Sequence, residues 1–218
     1  MAARGKVSSR RILLSFSALI LLLMLVVLPN SAIWGQEVTA TPTTPAPEFT
    51  RYAHTASMIC ANGCSSYGSA TTTENGANYS FSRPGDGKLG VSGTDDQRWT
   101  SPAAQASLPV YVRVRLSGSV VQYKACSKPV TLFLAFERSA REFGAFSAPD
   151  DLVNTWTVSP AGGCTHSVTG DYELAGTLYD VRSFRLYAKT SVGDITSGNW
   201  TYEIIELQAG GPVIQPTP

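Results

Sequence analysis

The chain has 218 residues, only 15% of them charged, with 17 basic against 16 acidic side chains. That length is enough to bury a sizeable hydrophobic core. The near-neutral balance supplies no basic face, which excludes nucleic acid as a partner on composition.

Arg4, Lys6, Arg10 and Arg11 precede an almost unbroken apolar run from Ile12 to Leu28, and no acidic residue occurs before Glu37. Basic then apolar is the order that translocation machinery reads, so residues 1–35 are expected to be a signal peptide or an N-terminal membrane anchor. Both outcomes stay open. The run lies near the lower limit of about 20 residues for a spanning helix, and the small residues Ala32 and Gly35 give no clean A-x-A cleavage pattern. Ser9-Arg10-Arg11-Ile12-Leu13-Leu14 also resembles the twin-arginine export motif. Either way the remainder is expected to be secreted or extracytoplasmic, and held at the cell surface if the segment is retained. Beyond residue 35, thirteen basic residues face sixteen acidic ones, a net charge of −3.

Residues 36–50 carry Pro42, Pro45 and Pro47 among threonines and read as an extended linker. Period two then dominates from 51 to 208. Val110, Val112, Val114 and Leu116 alternate with Tyr111, Arg113, Arg115 and Ser117, the pattern of a half-buried strand. The same alternation runs through Val130–Phe136, Phe184–Lys189 and Trp200–Ile205. Weaker strands are predicted at Tyr52–Met58, Asn78–Arg83, Gln97–Ser101, Val120–Lys124, Leu152–Val158 and Tyr172–Leu178. Pro84-Gly85-Asp86-Gly87, Ser117-Gly118, Ala161-Gly162-Gly163 and Ser197-Gly198-Asn199 supply turn chemistry between them. One short helix is expected, around Ser139–Phe143. Residues 209–218 read as a flexible tail. Eight to ten short strands without helical crossovers imply an all-β fold, an antiparallel β-sandwich that is jelly-roll-like or immunoglobulin-like.

The four cysteines, Cys60, Cys64, Cys126 and Cys164, all follow the export segment. An even count in an oxidising compartment points to two disulfides. Of three connectivities, Cys60–Cys64 with Cys126–Cys164 is favoured, the second closing the longer loop. Zinc is the rival reading through Cys164-x-His166, but the spacing matches no common zinc site.

Chemistry is sparse. The chain has two histidines, His54 and His166, and no G-x-S-x-G, so no nucleophile is marked out. His54 reads as a polar strand position and His166 as a solvated loop residue. Asp95/Asp96, Glu137/Glu142 and Asp150/Asp151 are candidate carboxylate pairs, but neighbours on a strand point to opposite faces. Asp86-Gly87 and Ser92–Asp96 place hard oxygen ligands in a Gly-rich connection without a calcium-loop motif. No cofactor or metal is therefore assigned, and no catalytic residue.

Aromatic residues are the remaining lead, because a pyranose C–H face stacks on a ring while polar neighbours bond its hydroxyls. Trp99, with Asp95, Asp96 and Arg98 beside it, and the outward-facing Tyr111 and Arg113 form the candidate ligand-binding set. Trp156 and Trp200 are further candidates, each with core packing as the simpler role. Asn78-Tyr79-Ser80 and Asn199-Trp200-Thr201 are glycosylation sequons that matter only in a eukaryotic secretory pathway. The sequence thus points to a non-catalytic binding or adhesion module with a glycan or surface polymer as ligand. The alternative is a structural or assembly component of the cell envelope, with an enzyme a distant third.

Overall fold

A computed structural model describes residues 48–60, 66–83, 89–123, 126, 128–143, 145–146, 152–158 and 163–210. The expected export segment, most of the linker and residues 211–218 lie outside them. Among the described residues every regular element is a strand. They are β1 (Thr50–Cys60), β2 (Gly68–Thr72), β3 (Gly76–Ser82), β4 (Leu89–Gln122), β5 (Val130–Ser139), β6 (Leu152–Val158), β7 (Thr165–Ser167) and β8 (Gly170–Ala209).

β4 has 34 residues and β8 has 40. At about 3.3 Å per residue neither fits a single layer when straight. Their register shows how they fold back. Leu89 faces Ile195 and Thr100 faces Ser183; Gln105 faces Val181 and Leu116 faces Gly170; Val110 faces Ala209 and Val121 faces Ser197. In each series the partner number falls as the residue number rises, so all three ladders are antiparallel. β4 therefore has two arms, 89–100 and 108–122, and β8 has three, 170–181, 183–195 and 197–209.

Two layers result. The front sheet runs β1, β4 (89–100), β8 (183–195), β5, β6. The back sheet runs β2, β3, β8 (197–209), β4 (108–122), β8 (170–181), with β7 pairing to 119–121. The fold is an antiparallel β-sandwich, as the alternation implied. Its layers meet through the core: Trp156 on the front packs on Tyr172 on the back, ring centroids 5.5 Å apart. Tyr79 on the back lies so close to Gly93 on the front that an added Cβ would strike its ring.

Period two drives the burial. Val110, Val112, Val114 and Leu116 are buried on one side of β4, and Leu132, Leu134 and Phe136 on one side of β5. Each such side chain contributes about 1.5–3 kcal/mol on leaving water. Phe184 is a hub, stacked on Trp99 at 4.9 Å and edge-on to Phe49 and Phe136. The corners of β8 sit at Asp180 and Asp194, whose φ values of 55° and 51° are left-handed. A short carboxylate side chain tolerates that conformation better than most. Gly118, at φ 146°, lies against the backbone of Asn199 and Trp200, leaving no room for a Cβ.

Two expectations change. Ser139–Phe143 is not helical: Ser139 Oγ accepts the Arg141 N–H at 3.2 Å, and Phe143 has φ 55°, outside the right-handed helical region. β2 and β7 are strands that the sequence pattern omits, because their partners hold them rather than any alternation of their own. Cys60 is disulfide-bonded, and one disulfide has both partners among the described residues. It joins Cys126 to Cys164 across 38 positions, so neither sulfur is a thiolate available to zinc. Cys64, the expected partner of Cys60, lies outside the described residues.

Candidate functional site

Alternation along three neighbouring strands builds the outer face of the front sheet. On β8, Phe184, Leu186 and Ala188 are buried, which turns Arg185, Tyr187, Lys189 and Ser191 outward. On β5, burial of Leu132, Leu134 and Phe136 leaves Thr131, Phe133 and Glu137 on the same outer face. On β4, burial of Asp95, Gln97 and Trp99 leaves Asp96 and Arg98 there. Register aligns them in rows: Arg98–Arg185–Glu137, Asp96–Tyr187–Ala135 and Thr94–Lys189–Phe133.

The first two rows are locked by charge. Arg98 reaches both oxygens of Asp96 at 3.1 and 2.9 Å, and Arg185 reaches the same two at 2.9 and 3.0 Å. Arg185 also donates to Glu137 at 2.9 Å and lies 4.4 Å over the Tyr187 ring. Burial pushes the Asp96 carboxyl up, but the hydrogen bonds from both guanidinia outweigh it and hold the group below its ordinary range. A carboxylate accepts about four hydrogen bonds, and Asp96 already has four. Its capacity is used within the protein.

Beside this ladder lies an open trough of about 400 Å³, lined by Thr131, Phe133, Thr155, Tyr187, Lys189 and Ser191. Phe133 and Tyr187 meet edge-on at 6.1 Å and are both half-buried. The Tyr187 phenol is raised by burial, so it stays neutral at physiological pH and both donates and accepts. Thr155 comes from β6, whose register sets it opposite Phe133. The trough combines two aromatic rings with four hydroxyls, the Tyr187 phenol among them, and one ammonium.

The candidates chosen from sequence are dispersed. Trp99 is 4% exposed and stacked in the core, so it is no surface platform. Asp95 is 1% exposed and also faces inward. His54 Nε2 lies 2.7 Å from it and Gln97 donates to it at 2.9 Å, while Arg51 donates to Gln97 at 3.0 Å. Burial pushes the Asp95 carboxyl above its ordinary value, against those hydrogen bonds. Asp96 and Arg98 are on the front face, at the edge of the trough. Tyr111 and Arg113 are on the outer face of the back sheet, where Arg113 approaches Glu206 at 3.9 Å. The six therefore form no single site.

Trp200 is buried on Tyr79, ring centroids 5.5 Å apart, and half-buried Trp156 faces the core. His166 is buried rather than solvated, its Nε2 donating to Gln122 Oε1 at 2.9 Å. Among the described residues no group of three or more His, Cys, Asp or Glu side chains is placed to hold a metal. Sequence reasoning counted Tyr187 among the aromatic rings without placing it in the candidate set, and passed over Phe133 and Lys189. Their alternation with buried neighbours was the available signal.

No family model matches the chain, and no curated protein matches it. Among solved structures it is similar to the family 11 carbohydrate-binding module of the cellulosomal cellulase Lic26A-Cel5E of Clostridium thermocellum. That likeness has 11% identity and a TM-score of 0.28, and covers 78% of this chain and 91% of that one. It is also similar to the family 11 carbohydrate-binding module from Clostridium thermocellum in complex with a β-1,3-1,4-mixed-linked tetrasaccharide. There the identity is 12% and the TM-score 0.29, with 75% of this chain and 88% of that one covered. Overlap at this level assigns neither a shared ancestry nor a ligand.

Proposed function

We propose that the protein is a non-catalytic glycan-binding module displayed outside the cytoplasmic membrane, its ligand lying in the trough on the front sheet. The observation that carries this reading is the half-buried Phe133–Tyr187 pair, bordered by Thr131, Thr155, Ser191 and Lys189 in an open concavity. Rings bury the C–H face of a pyranose, and the flanking hydroxyls exchange hydrogen bonds with its hydroxyls. A trough open along the sheet suits an extended chain better than an enclosed small molecule.

Hydrolysis of a glycosidic bond requires one carboxyl to give a proton and a second to assist. On this face Asp96 and Glu137 are held by guanidinia, so neither is placed for that work. Export is supported by the basic and apolar N-terminal sequence and by the Cys126–Cys164 disulfide, which persists in an oxidising compartment.

A glycan array probed with residues 36–218, followed by titration of any hit against Tyr187→Ala and Phe133→Ala, tests the reading. Binding that both variants weaken supports it. A protein that binds no glycan and self-associates in solution instead contradicts it and favours the envelope-assembly alternative.

A further inference from the structure

Charge in and beside the trough is unbalanced in one place. Asp96 is shared by Arg98 and Arg185, and Glu137 is taken up by Arg185. These carboxylates and guanidinia compensate one another. Lys189 lies two residues along from Tyr187, with Thr94 and Phe133 as its Cα partners on either side. It makes no salt bridge or side-chain hydrogen bond with any described residue. The other five residues lining the trough are Thr131, Phe133, Thr155, Tyr187 and Ser191, all neutral.

An ammonium is a compact, strongly hydrated point charge on a flexible stem. In an open trough whose other lining residues are neutral, it sets the sign of the local field and favours an anionic group there. A neutral glycan would gain little from it beyond one hydrogen bond. A carboxylate on the sugar ring would complete an ion pair in the position that Asp96 and Glu137 cannot supply.

We infer that the ligand is a uronate-containing glycan, its carboxylate meeting the Lys189 ammonium while the pyranose face lies on Tyr187 and Phe133. This rests on the glycan reading above and adds its substrate class. The choice follows from charge complementarity, since the ladder beside the trough leaves no anion free to neutralise Lys189.

The test compares uronate oligomers with their methyl esters, which keep the ring and remove the charge. Galacturonate, glucuronate and mannuronate oligomers and the corresponding esters would be titrated calorimetrically into the protein at low and at physiological salt. For the uronate that fits, the acid is expected to bind about two- to fivefold tighter than its ester at low salt, a gap that narrows as salt screens the pair. In Lys189→Gln the two affinities are expected to converge, and in Lys189→Arg the preference is expected to return. Thermal melts of both variants check that the fold is kept.

Equal affinity of acid and ester in the unmodified protein, or a preference that survives Lys189→Gln, overturns the inference and leaves the glycan reading in place. Failure of every acid and ester, together with an array on which no neutral glycan binds, overturns both.

Discussion

Trp99→Ala is expected to destabilise the sandwich strongly while leaving ligand affinity of the folded fraction nearly unchanged. Trp99 is 4% exposed, so almost all of its indole has left water. An aromatic side chain buries about 150–250 Å², which at about 25 cal/mol per Å² gives roughly 4–6 kcal/mol. The parallel stack on Phe184, at 4.9 Å and 14°, adds about 0.5–1.5 kcal/mol beyond burial. One feature of the site lowers the sum. Trp99 borders a cleft of about 240 Å³ with Phe49, Arg51, Gln97 and Leu207, so water can enter part of the space vacated. The net loss is expected near 3–4 kcal/mol, at the lower end of Trp→Ala costs in cores. For a domain of this size that corresponds to a fall in Tm of roughly 6–16 °C. Thermal unfolding followed by near-ultraviolet circular dichroism reads it, with glycan titration at a temperature where the variant is folded. A Tm within 2 °C of the parent together with abolished binding would refute the placement of Trp99 in the core.

Replacing both Cys126 and Cys164 by serine is expected to cost about 4 kcal/mol by loop-closure entropy, read as a lower urea midpoint; an unchanged midpoint would contradict it. Asp96→Asn is expected to destabilise at neutral pH and not in strong acid. The Asp96 carboxyl lies below its unfolded value, so its pairing stabilises the fold above the ordinary carboxylate range and is lost as pH falls through the depressed folded value. Tm measured against pH for both proteins should show two curves that meet at low pH; a constant gap would rule the mechanism out.

Period two was legible wherever one side of a strand faces the core, and β1, β3, β5 and β6 follow it closely. The fold-back of β4 and β8 between the two sheets was not. Ser117-Gly118 reads as a turn by residue type, yet it lies inside the 108–122 arm of β4, while Ser197-Gly198-Asn199 falls just after the fold-back of β8 at Asp194. At Gly118 the residue is required because the backbone of Asn199 and Trp200 passes against it. That demand comes from a segment some eighty positions away and leaves no local trace. Trp99 misled for a related reason. Asp95, Gln97 and Trp99 share one side of β4, and two polar neighbours make that side look wet. The side is dry because His54 and Arg51, on β1, satisfy the polar groups. Conversely, the outward position of Tyr187 and Lys189 was visible in their alternation with Phe184, Leu186 and Ala188. What the sequence could not show was that register brings Phe133 from β5 and Thr155 from β6 to their side.

The front trough and the back face carry rival aromatic candidates, Tyr187 and Tyr111, on opposite sides of the same sandwich. Titrating a glycan bound by the parent protein against Tyr187→Ala and Tyr111→Ala decides between the two faces. The expected result is a loss of about tenfold or more in affinity, roughly 1.4 kcal/mol, for Tyr187→Ala, and no significant change for Tyr111→Ala. Parent-like affinity in Tyr187→Ala with binding lost in Tyr111→Ala would move the site to the back sheet and rule out the front trough.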